Sequence, residues 1–268
     1  PSCSGVADAS LRHLRGLKQL TLLGLYRTSV TDRGLRSLKG LTQLRWLDLS
    51  RTKVTGRGLI HLKGLTHLEE LWLHDCGGAV GAGLVHLRGL TRLRLLDIQG
   101  CGVRNSELVH LAKMTEMRRL LLSSEDVTDT GMAVVARLRK LELLDLGKAR
   151  VGDAGLRRLR GLTQLQTLTI SGGEVTNAGL VHLKDMPQLT RLSLTGSKGI
   201  SDAGLKVLGR YRQLTNLDLR ETRITDGGLR HLSKLVVLKH VNAYHTGVTE
   251  QGAAALKAVL PGVTVQIK

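Results

Sequence analysis

The sequence of 268 residues contains no phenylalanine, and its aromatic residues make up only 2% of the chain. A core built from this composition has to be aliphatic. Three cysteines, Cys3, Cys76 and Cys101, do not make the disulfide framework of a small secreted domain. No apolar run approaches the roughly 18 residues that span a bilayer, so we expect no membrane span, and we expect no signal peptide.

Motifs that carry catalysis are missing as well. The sequence has no G-x-S-x-G elbow, H-E-x-x-H motif, phosphate-binding loop, G-x-G-x-x-G or C-x-x-C pattern. Asp, His and Ser residues are scattered, and their spacing does not indicate oriented groups in a cleft. We therefore predict that the protein is not an enzyme, with no catalytic residues and no cofactor.

Six histidines recur at one place of a repeating segment, which raises the question of a metal site. They are His13, His61, His86, His110, His182 and His231. Neighbouring helices pack about 8 to 10 Å apart, whereas ligands that share one zinc ion lie about 2 Å from it. Consecutive members of this column therefore cannot converge on one ion, and we predict no metal.

The dominant feature is a repeat, best seen in the segment LRWLDLSRTKVTGRGLIHLKGLTH from Leu44 to His67. Its beginning alternates leucine with polar residues at the period of a short strand. Leu59, Leu62 and Leu65 then follow three apart, which places them on one face of a short helix. Strand, turn and helix form one unit, and the unit starts again at Leu68.

Copies of this unit fill the chain, spaced 24 residues apart except for spacings of 25 after Leu68 and after Leu189. The copies begin at Leu20, Leu44, Leu68, Leu93, Met117, Leu141, Leu165, Leu189, Leu214 and Leu238. We predict one domain over residues 1–268, with a partial repeat at 1–19, ten repeats at 20–262 and a terminal edge strand at 263–268. A single unit cannot bury its apolar face alone, so the repeats share one continuous core.

The pattern LxxLxLxxTxVTDxGLxxLxGLTx resembles the leucine-rich-repeat family, in the class of about 24 residues found in bacterial repeat proteins and in F-box substrate receptors. The resemblance implies an α/β fold, a right-handed solenoid or horseshoe with a parallel concave sheet and short convex helices. The substrate-receptor branch further implies substrate selection for a larger, ubiquitin-ligase-like complex, with the recruiting domain elsewhere.

Several columns of the repeat are expected to be structural. Thr or Ser before Asp, as in Thr31, Thr128, Ser201 and Thr225, stands where a helix N-cap is needed. The glycine that follows in most repeats is expected to let the helix approach the sheet closely. Cys76 and Cys101 share a column that, by the resemblance, points inward and hydrogen-bonds the turn backbone of neighbouring repeats. We prefer a reduced pair there, although the strand spacing also permits a bridge.

The chain is strongly basic, with 40 Lys and Arg against 22 Asp and Glu and a net charge of +18. Most of the cations fall in the helical part of each repeat. A solvated convex face that keeps the solenoid soluble explains them, and weak binding of a polyanion or nucleic acid through this face is the alternative.

The strand columns carry the strongest functional signal. Four of the aromatic residues, Tyr26, Trp46, Trp72 and Tyr244, occupy outward strand positions, where Trp and Tyr often anchor interfaces. Trp46 and Trp72 are expected to be diagonal neighbours on adjacent strands. The polar residues expected to surround them and give selectivity are Asp48, Arg51, Glu70, His74, Asp75, Asp97, Gln99 and Arg119.

A second polar group lies towards the end of the chain, comprising Asn216, Asp218, Arg220, Glu221, His240, Asn242, Tyr244 and His245. A polar cap, which terminal repeats require for solubility, explains this group equally well. Together these patterns predict a monomeric, non-catalytic scaffold that binds a protein partner through its concave strand face. Because the sequence begins at Pro1 and not at methionine, the compartment stays open between cytoplasm and export.

Overall fold

The structure is a computed structural model that describes residues 5–77 and 79–268. It divides into two compact units, Pro1–Val127 (unit 1) and Thr128–Lys268 (unit 2). The first residues of the predicted partial repeat lie outside the described residues. That residues 1–268 form a single domain stays a prediction.

Unit 1 repeats a short strand, a turn and a short helix, and its neighbouring strands pair in parallel. Among its described residues the strands are β1 (Leu22–Gly24), β2 (Trp46–Asp48), β3 (Glu70–Trp72), β4 (Leu95–Asp97) and β5 (Arg119–Leu121). The helices are α1 (Asp8–Leu11), α2 (Asp32–Leu35) and the 3₁₀ helices Arg12–Leu14, Arg36–Leu38, Gly58–Leu62, Gly81–Leu87 and Leu108–Leu111.

Unit 2 has the same alternation, again with parallel pairing between consecutive strands. Its strands are β6 (Leu143–Asp145), β7 (Thr167–Thr169), β8 (Arg191–Ser193), β9 (Asn216–Asp218), β10 (His240–Asn242) and β11 (Thr264–Gln266). Its helices are α3 (Met132–Val135), α4 (Asp153–Leu159), α5 (Asp202–Leu208), α6 (Asp226–Leu229), α7 (Glu250–Val259) and the 3₁₀ helices Gly179–Asp185 and Arg230–Leu232.

The core is a stack of aliphatic side chains, as the absence of phenylalanine predicts. The middle residues of β2, β3 and β4, which are Leu47, Leu71 and Leu96, are in register and fully buried. Leu59 and Leu62 of the repeat's helix are fully buried as well. Their spacing of three residues matches the 3.0 residues per turn of a 3₁₀ helix, which is the helix that forms there.

A ladder of carboxylates joins consecutive repeats. Asp32 accepts hydrogen bonds from the backbone N–H and the hydroxyl of Thr55, each at 2.7 Å. The same paired contact joins Asp8 to Thr31, Asp153 to Thr176, Asp202 to Thr225 and Asp226 to Thr249. The threonines therefore donate hydrogen bonds to the preceding repeat and can also accept one from the helix of their own repeat.

Hydrogen bonds from Thr249, first from its backbone N–H and then from its hydroxyl, lower the pKa of Asp226. A carboxyl group whose pKa is lower in the folded state stabilises the fold above its unfolded-state pKa. That stabilisation is lost as the pH falls through the folded-state pKa. The contact between Asp226 and Thr249 therefore weakens only in acid.

The predicted N-caps are confirmed in part. The hydroxyl of Thr31 accepts a hydrogen bond from Arg33 N–H, and Thr225 accepts one from Gly227 N–H, each at 3.2 Å. Ser201 precedes α5 but makes no side-chain capping bond, and α3 begins after Gly131, so Thr128 is not its N-cap. Both positions therefore depart from the expected pattern.

The glycine at the start of the helix in most repeats is required for a different reason from the one expected. A Cβ on Gly155 would lie 2.5 Å from Asp129 Oδ1, and a Cβ on Gly204 would lie 2.5 Å from Asn177 Oδ1. The space that a side chain would need is thus filled by the polar side chain of the preceding repeat, and at Gly155 also by Val151 of its own repeat, whose Cγ1 would lie 2.5 Å away. Contact between repeats, more than contact between helix and sheet, excludes larger residues here.

Gly83 is the most tightly confined of these glycines in unit 1, because backbone atoms surround it. A Cβ there would lie 2.5 Å from Gly56 Cα and 2.7 Å from Gly56 C. We expect Gly83→Ala to lower the free energy of unfolding by about 1–3 kcal/mol, as overpacking does. Gly89 has no atom within 4 Å of its Cβ position, so Gly89→Ala is the matched control and should change stability by less than about 0.5 kcal/mol. Equal urea midpoints for the two variants would contradict this interpretation.

Candidate functional site

The outward side chains of β1–β5 form one continuous surface, which we call the strand face of unit 1. The Cα register places them in two rows: Leu22, Trp46, Glu70, Leu95 and Arg119 in the first, and Gly24, Asp48, Trp72, Asp97 and Leu121 in the second. Their outward direction follows from strand alternation, since the residue between each pair is part of the leucine core.

Trp46 lies over a glycine of the neighbouring strand. Its Cζ3 is 3.5 Å from the position that a Cβ on Gly24 would take, so the ring extends towards β1. Leu22 pairs in register with Trp46 and leaves 63% of its surface exposed. Leu22 and Trp46 together make an apolar patch. The sequence interpretation omitted Leu22, although it occupies the same outward column as Trp46.

Trp72 lies diagonally from Trp46, as predicted, because Trp46 pairs with Glu70 and Asp48 pairs with Trp72. Both tryptophans are half-buried. The indole N–H of Trp72 donates to Glu70 Oε2 at 3.3 Å. This hydrogen bond between two residues of β3 restrains the orientation of the indole ring. Diagonal partners on a sheet lie about 7 to 8 Å apart, within reach of two indole rings.

Asp48 and Asp97, both expected to contact a partner, also hold the turns that follow their strands. Asp48 Oδ1 accepts from Ser50 N–H at 2.8 Å, and Asp97 Oδ1 accepts from Gln99 N–H at 3.1 Å. Asp97 is only 5% exposed, so it offers little surface to a partner. Its direct involvement in binding stays a prediction.

A polar network borders the strand face where the strands end. Arg51 Nη1 donates to the Tyr26 hydroxyl at 3.4 Å, and Arg51 Nε lies 3.5 Å from Asp75 Oδ2. His74 Nε2 lies 3.1 Å from the same carboxylate oxygen. Tyr26 remains 43% exposed, and the guanidinium of Arg27 is 5.8 Å from its ring centroid. This border brings Tyr26, Arg51 and His74 together, and their part in partner binding stays a prediction.

A second border lies before the strands, and sequence reasoning missed it. Glu69 accepts from Arg45 at 3.0 Å and forms an ion pair with Arg94 at 3.2 Å. The signal was present, because Arg45, Glu69 and Arg94 occupy one column with alternating charge in consecutive repeats. Exposed pairs of this kind contribute little to stability, so their main effect is to hold the arginines in place.

Unit 2 presents a different strand face. Its outward side chains in β7–β11 line a shallow cavity of about 290 Å³ and are almost entirely polar: Thr167, Thr169, Arg191, Ser193, Asn216, Asp218, His240, Asn242, Thr264 and Gln266. Arg220 forms a bidentate pair with Asp218, with contacts of 2.9 and 2.7 Å, which raises the pKa of Arg220. Tyr244 belongs to this unit, beside His245 with 6.5 Å between ring centroids. Its part in partner binding stays a prediction.

Cys76 and Cys101 are free and buried, in agreement with the preferred reduced pair. Cys76 Sγ donates to Leu49 O at 3.1 Å and Cys101 Sγ donates to Leu73 O at 3.0 Å, each to the preceding repeat. Thr52 in the same column bonds its own repeat instead, through Leu49 O at 2.6 Å. Burial raises the pKa of the Cys76 thiol and raises that of Cys101 to about 12.

These thiols should therefore resist modification in the folded protein, because the reactive thiolate is suppressed and access is closed. In a Cys3→Ser background we expect a disulfide-exchange reagent such as dithionitrobenzoate to label neither cysteine at neutral pH. After denaturation without reductant, both should react. Rapid labelling of the folded protein would contradict the burial, and unreactive cysteines after denaturation would indicate a bridge.

The histidine column does not assemble a metal site in the part of the chain that the structure describes. There, no group of three or more His, Cys, Asp or Glu side chains could hold an ion. Burial, and then the charge of Arg36, lowers the pKa of His61. Nor is any helix among the described residues long and apolar enough to cross a membrane.

Comparison with known proteins shows the fold. No family model and no curated protein matches the sequence. Among solved structures, an internalin from Listeria monocytogenes matches with a TM-score of 0.70 and 22% identity, over 95% of this chain and 76% of the other. A leucine-rich-repeat protein from Leptospira interrogans matches with a TM-score of 0.63 and 16% identity, over 95% of this chain and 74% of the other. The predicted leucine-rich-repeat fold is thus confirmed, with parallel strands and short helices in both units.

Proposed function

We propose that this leucine-rich-repeat chain is a recognition module that binds a protein partner through the strand face of unit 1. Trp46 and Trp72 serve as the anchors of the interface, and Leu22 extends the apolar patch. The polar borders on either side of the patch select the partner.

The observation that carries this proposal is where the few aromatic residues lie. The core of unit 1 is filled with leucine, so packing does not require tryptophan. Yet Trp46 and Trp72, both half-buried, stand on the strand face beside a leucine that is 63% exposed, and Tyr26 stands on its border. Exposed apolar surface of this kind is typical of interaction sites, and Trp and Tyr are enriched among the residues that dominate binding energy.

The surroundings of the patch suit an interface as well. Arg51, His74 and Asp75 border it on one side, and Arg45, Glu69 and Arg94 border it on the other. An apolar centre with a polar, solvent-accessible rim is the usual anatomy of a protein–protein interface. Since both charge signs are present and already paired within the chain, we expect the rim to contribute selectivity more than affinity.

Binding without chemistry is the function that this surface supports. Catalysis needs oriented acid, base or nucleophilic groups in a site that excludes water. The strand face of unit 1 is instead an open sheet surface. Its carboxylates Asp48 and Asp97 accept hydrogen bonds from turns, and Glu70 accepts one from the Trp72 indole N–H.

The test is a quantitative capture from a lysate of the cells that produce this chain, at low and at high salt. We compare the wild type with the Trp46→Ala, Trp72→Ala double variant. A protein captured by the wild type at both salt concentrations, and lost with the double variant, supports recognition by the strand face. Capture that ignores the tryptophans and disappears at high salt would favour polyanion binding by the basic residues, because counterion release makes such binding steeply salt-dependent.

A further inference from the structure

The helix face of unit 1 exposes a column of aliphatic side chains that the leucine core does not use. Ile60, Val85 and Val109 each follow a fully buried leucine in three consecutive repeats. Ile60 is 40% exposed and Val109 is 55% exposed, while Val85 is partly exposed. We call these three residues the aliphatic column.

A row of cations lies on the same side of these helices. Lys63 follows Ile60 by three residues and Arg88 follows Val85 by three. Each is the C-cap residue directly after its 3₁₀ helix and keeps a right-handed helical backbone, so it lies near the side chain three residues before it. In the third repeat Ala112 takes the place of Lys63 and Arg88, and Lys113 follows it, four residues after Val109. All three cations, which we call the cation row, are exposed, and the helices Gly58–Leu62, Gly81–Leu87 and Leu108–Leu111 contact each other in sequence.

The cation row is not neutralised within unit 1. Over residues 5–77 and 79–127, none of its members forms an ion pair. Asp32 accepts hydrogen bonds from Thr55, and Glu107 accepts one from Arg104 N–H at 2.9 Å. Glu116, three residues after Lys113, also has an interaction of its own. This face therefore combines uncompensated positive charge with exposed apolar side chains.

We propose that this helix face of unit 1 docks on the surface of an anionic lipid bilayer. The cation row meets the headgroups, and the aliphatic column enters the boundary between headgroups and acyl chains. Opposite charge selects an anionic partner. The apolar column distinguishes a bilayer from a nucleic acid, because a phosphate backbone gains nothing from exposed valine and isoleucine.

The arrangement also favours a bilayer over a folded acidic protein. The three aliphatic side chains are small and stand on separate helices, and each projects from its own turn. A folded partner would need a matching pocket for each, whereas a fluid interface accommodates shallow side chains wherever they enter. This site is independent of the strand face, since it contains none of Trp46, Trp72 or Leu22.

The test is co-sedimentation of the full chain with vesicles of phosphatidylcholine alone and of phosphatidylcholine with phosphatidylserine, at physiological ionic strength. Two variants address the two features: Ile60→Ser with Val109→Ser for the column, and Lys63→Gln, Arg88→Gln, Lys113→Gln for the row. The control removes the same charge from unit 2, as Arg191→Gln, Arg223→Gln, Lys239→Gln. Circular dichroism establishes that each variant is folded, and binding of a DNA duplex is measured in parallel.

We expect the wild type to sediment with the phosphatidylserine vesicles only. Each cation removed from the row should weaken partitioning about fivefold. The Ile60→Ser, Val109→Ser variant should also partition more weakly onto the vesicles, although its net charge is unchanged. The unit 2 control should keep most of the wild-type partitioning. The proposal is overturned if the wild type ignores both vesicles. It is also overturned if the column variant binds like the wild type, or if the control loses as much as the row variant. Binding of DNA in preference to vesicles, insensitive to the column, would assign the face to nucleic acid instead.

Discussion

Truncating both Trp46 and Trp72 to alanine should weaken the complex with the protein partner by more than about 30-fold, since each anchor is expected to contribute about 2–4 kcal/mol. The two losses need not add, because the rings are diagonal neighbours on one face. The dissociation constants of the purified complexes, measured by calorimetry, check this prediction.

The matched control is Tyr244→Ala, which removes an outward aromatic side chain from unit 2. It should leave the affinity within about threefold of the wild type, as expected for a residue outside the anchor pair. Unchanged thermal unfolding of the double variant is required, because the tryptophans are half-buried. A folded double variant that binds as tightly as the wild type would show that the site has been assigned wrongly.

Leu71→Ala should lower the free energy of unfolding by about 2–5 kcal/mol. Leu71 is fully buried in the middle of β3, in register between Leu47 and Leu96. Its loss would leave a cavity between two repeats, and in a repeat protein the contact between neighbours supplies much of the stability. Urea unfolding measures the change.

Leu22→Ala is the comparison, because the same side chain stands outward on β1 and is 63% exposed. It should cost less than about 0.5 kcal/mol, as surface substitutions do. Similar losses for Leu71→Ala and Leu22→Ala would contradict the assignment of inward and outward strand positions.

The repeating architecture could be predicted from the sequence because two periods alternate along the chain. Leu71 points inward and Trp72 outward because adjacent strand residues face opposite sides, and this follows from the alternation alone. The three-residue spacing of Leu59 and Leu62 likewise predicted a helix. The strands of the structure begin two residues after the predicted starts, for example at Trp46 instead of Leu44, although Leu44 is still fully buried.

Contacts between repeats were beyond what the sequence pattern could specify. The periodicity shows a column of Asp and a column of Thr. From sequence alone, the local role of Thr31 as the N-cap of its own helix is the simplest explanation. Only the stacking of the repeats brings Asp32 to Thr55 and makes the glycine column necessary. The sequence also did not predict that Asp48 accepts a hydrogen bond from the turn after its strand. A carboxylate at such a position can bind a partner or accept from nearby backbone N–H groups, and the sequence pattern does not distinguish the two.

The most direct test of the central claim, that the strand face of unit 1 binds the partner, is site-specific photocrosslinking. A benzophenone amino acid replaces Leu22 on the strand face, or Val109 on the helix face of the same unit, in otherwise wild-type protein. We predict that the captured protein crosslinks from position 22 and not from position 109, and that free partner in excess competes with the crosslink. Crosslinking from position 109 alone would contradict the claim and place the partner on the helix face.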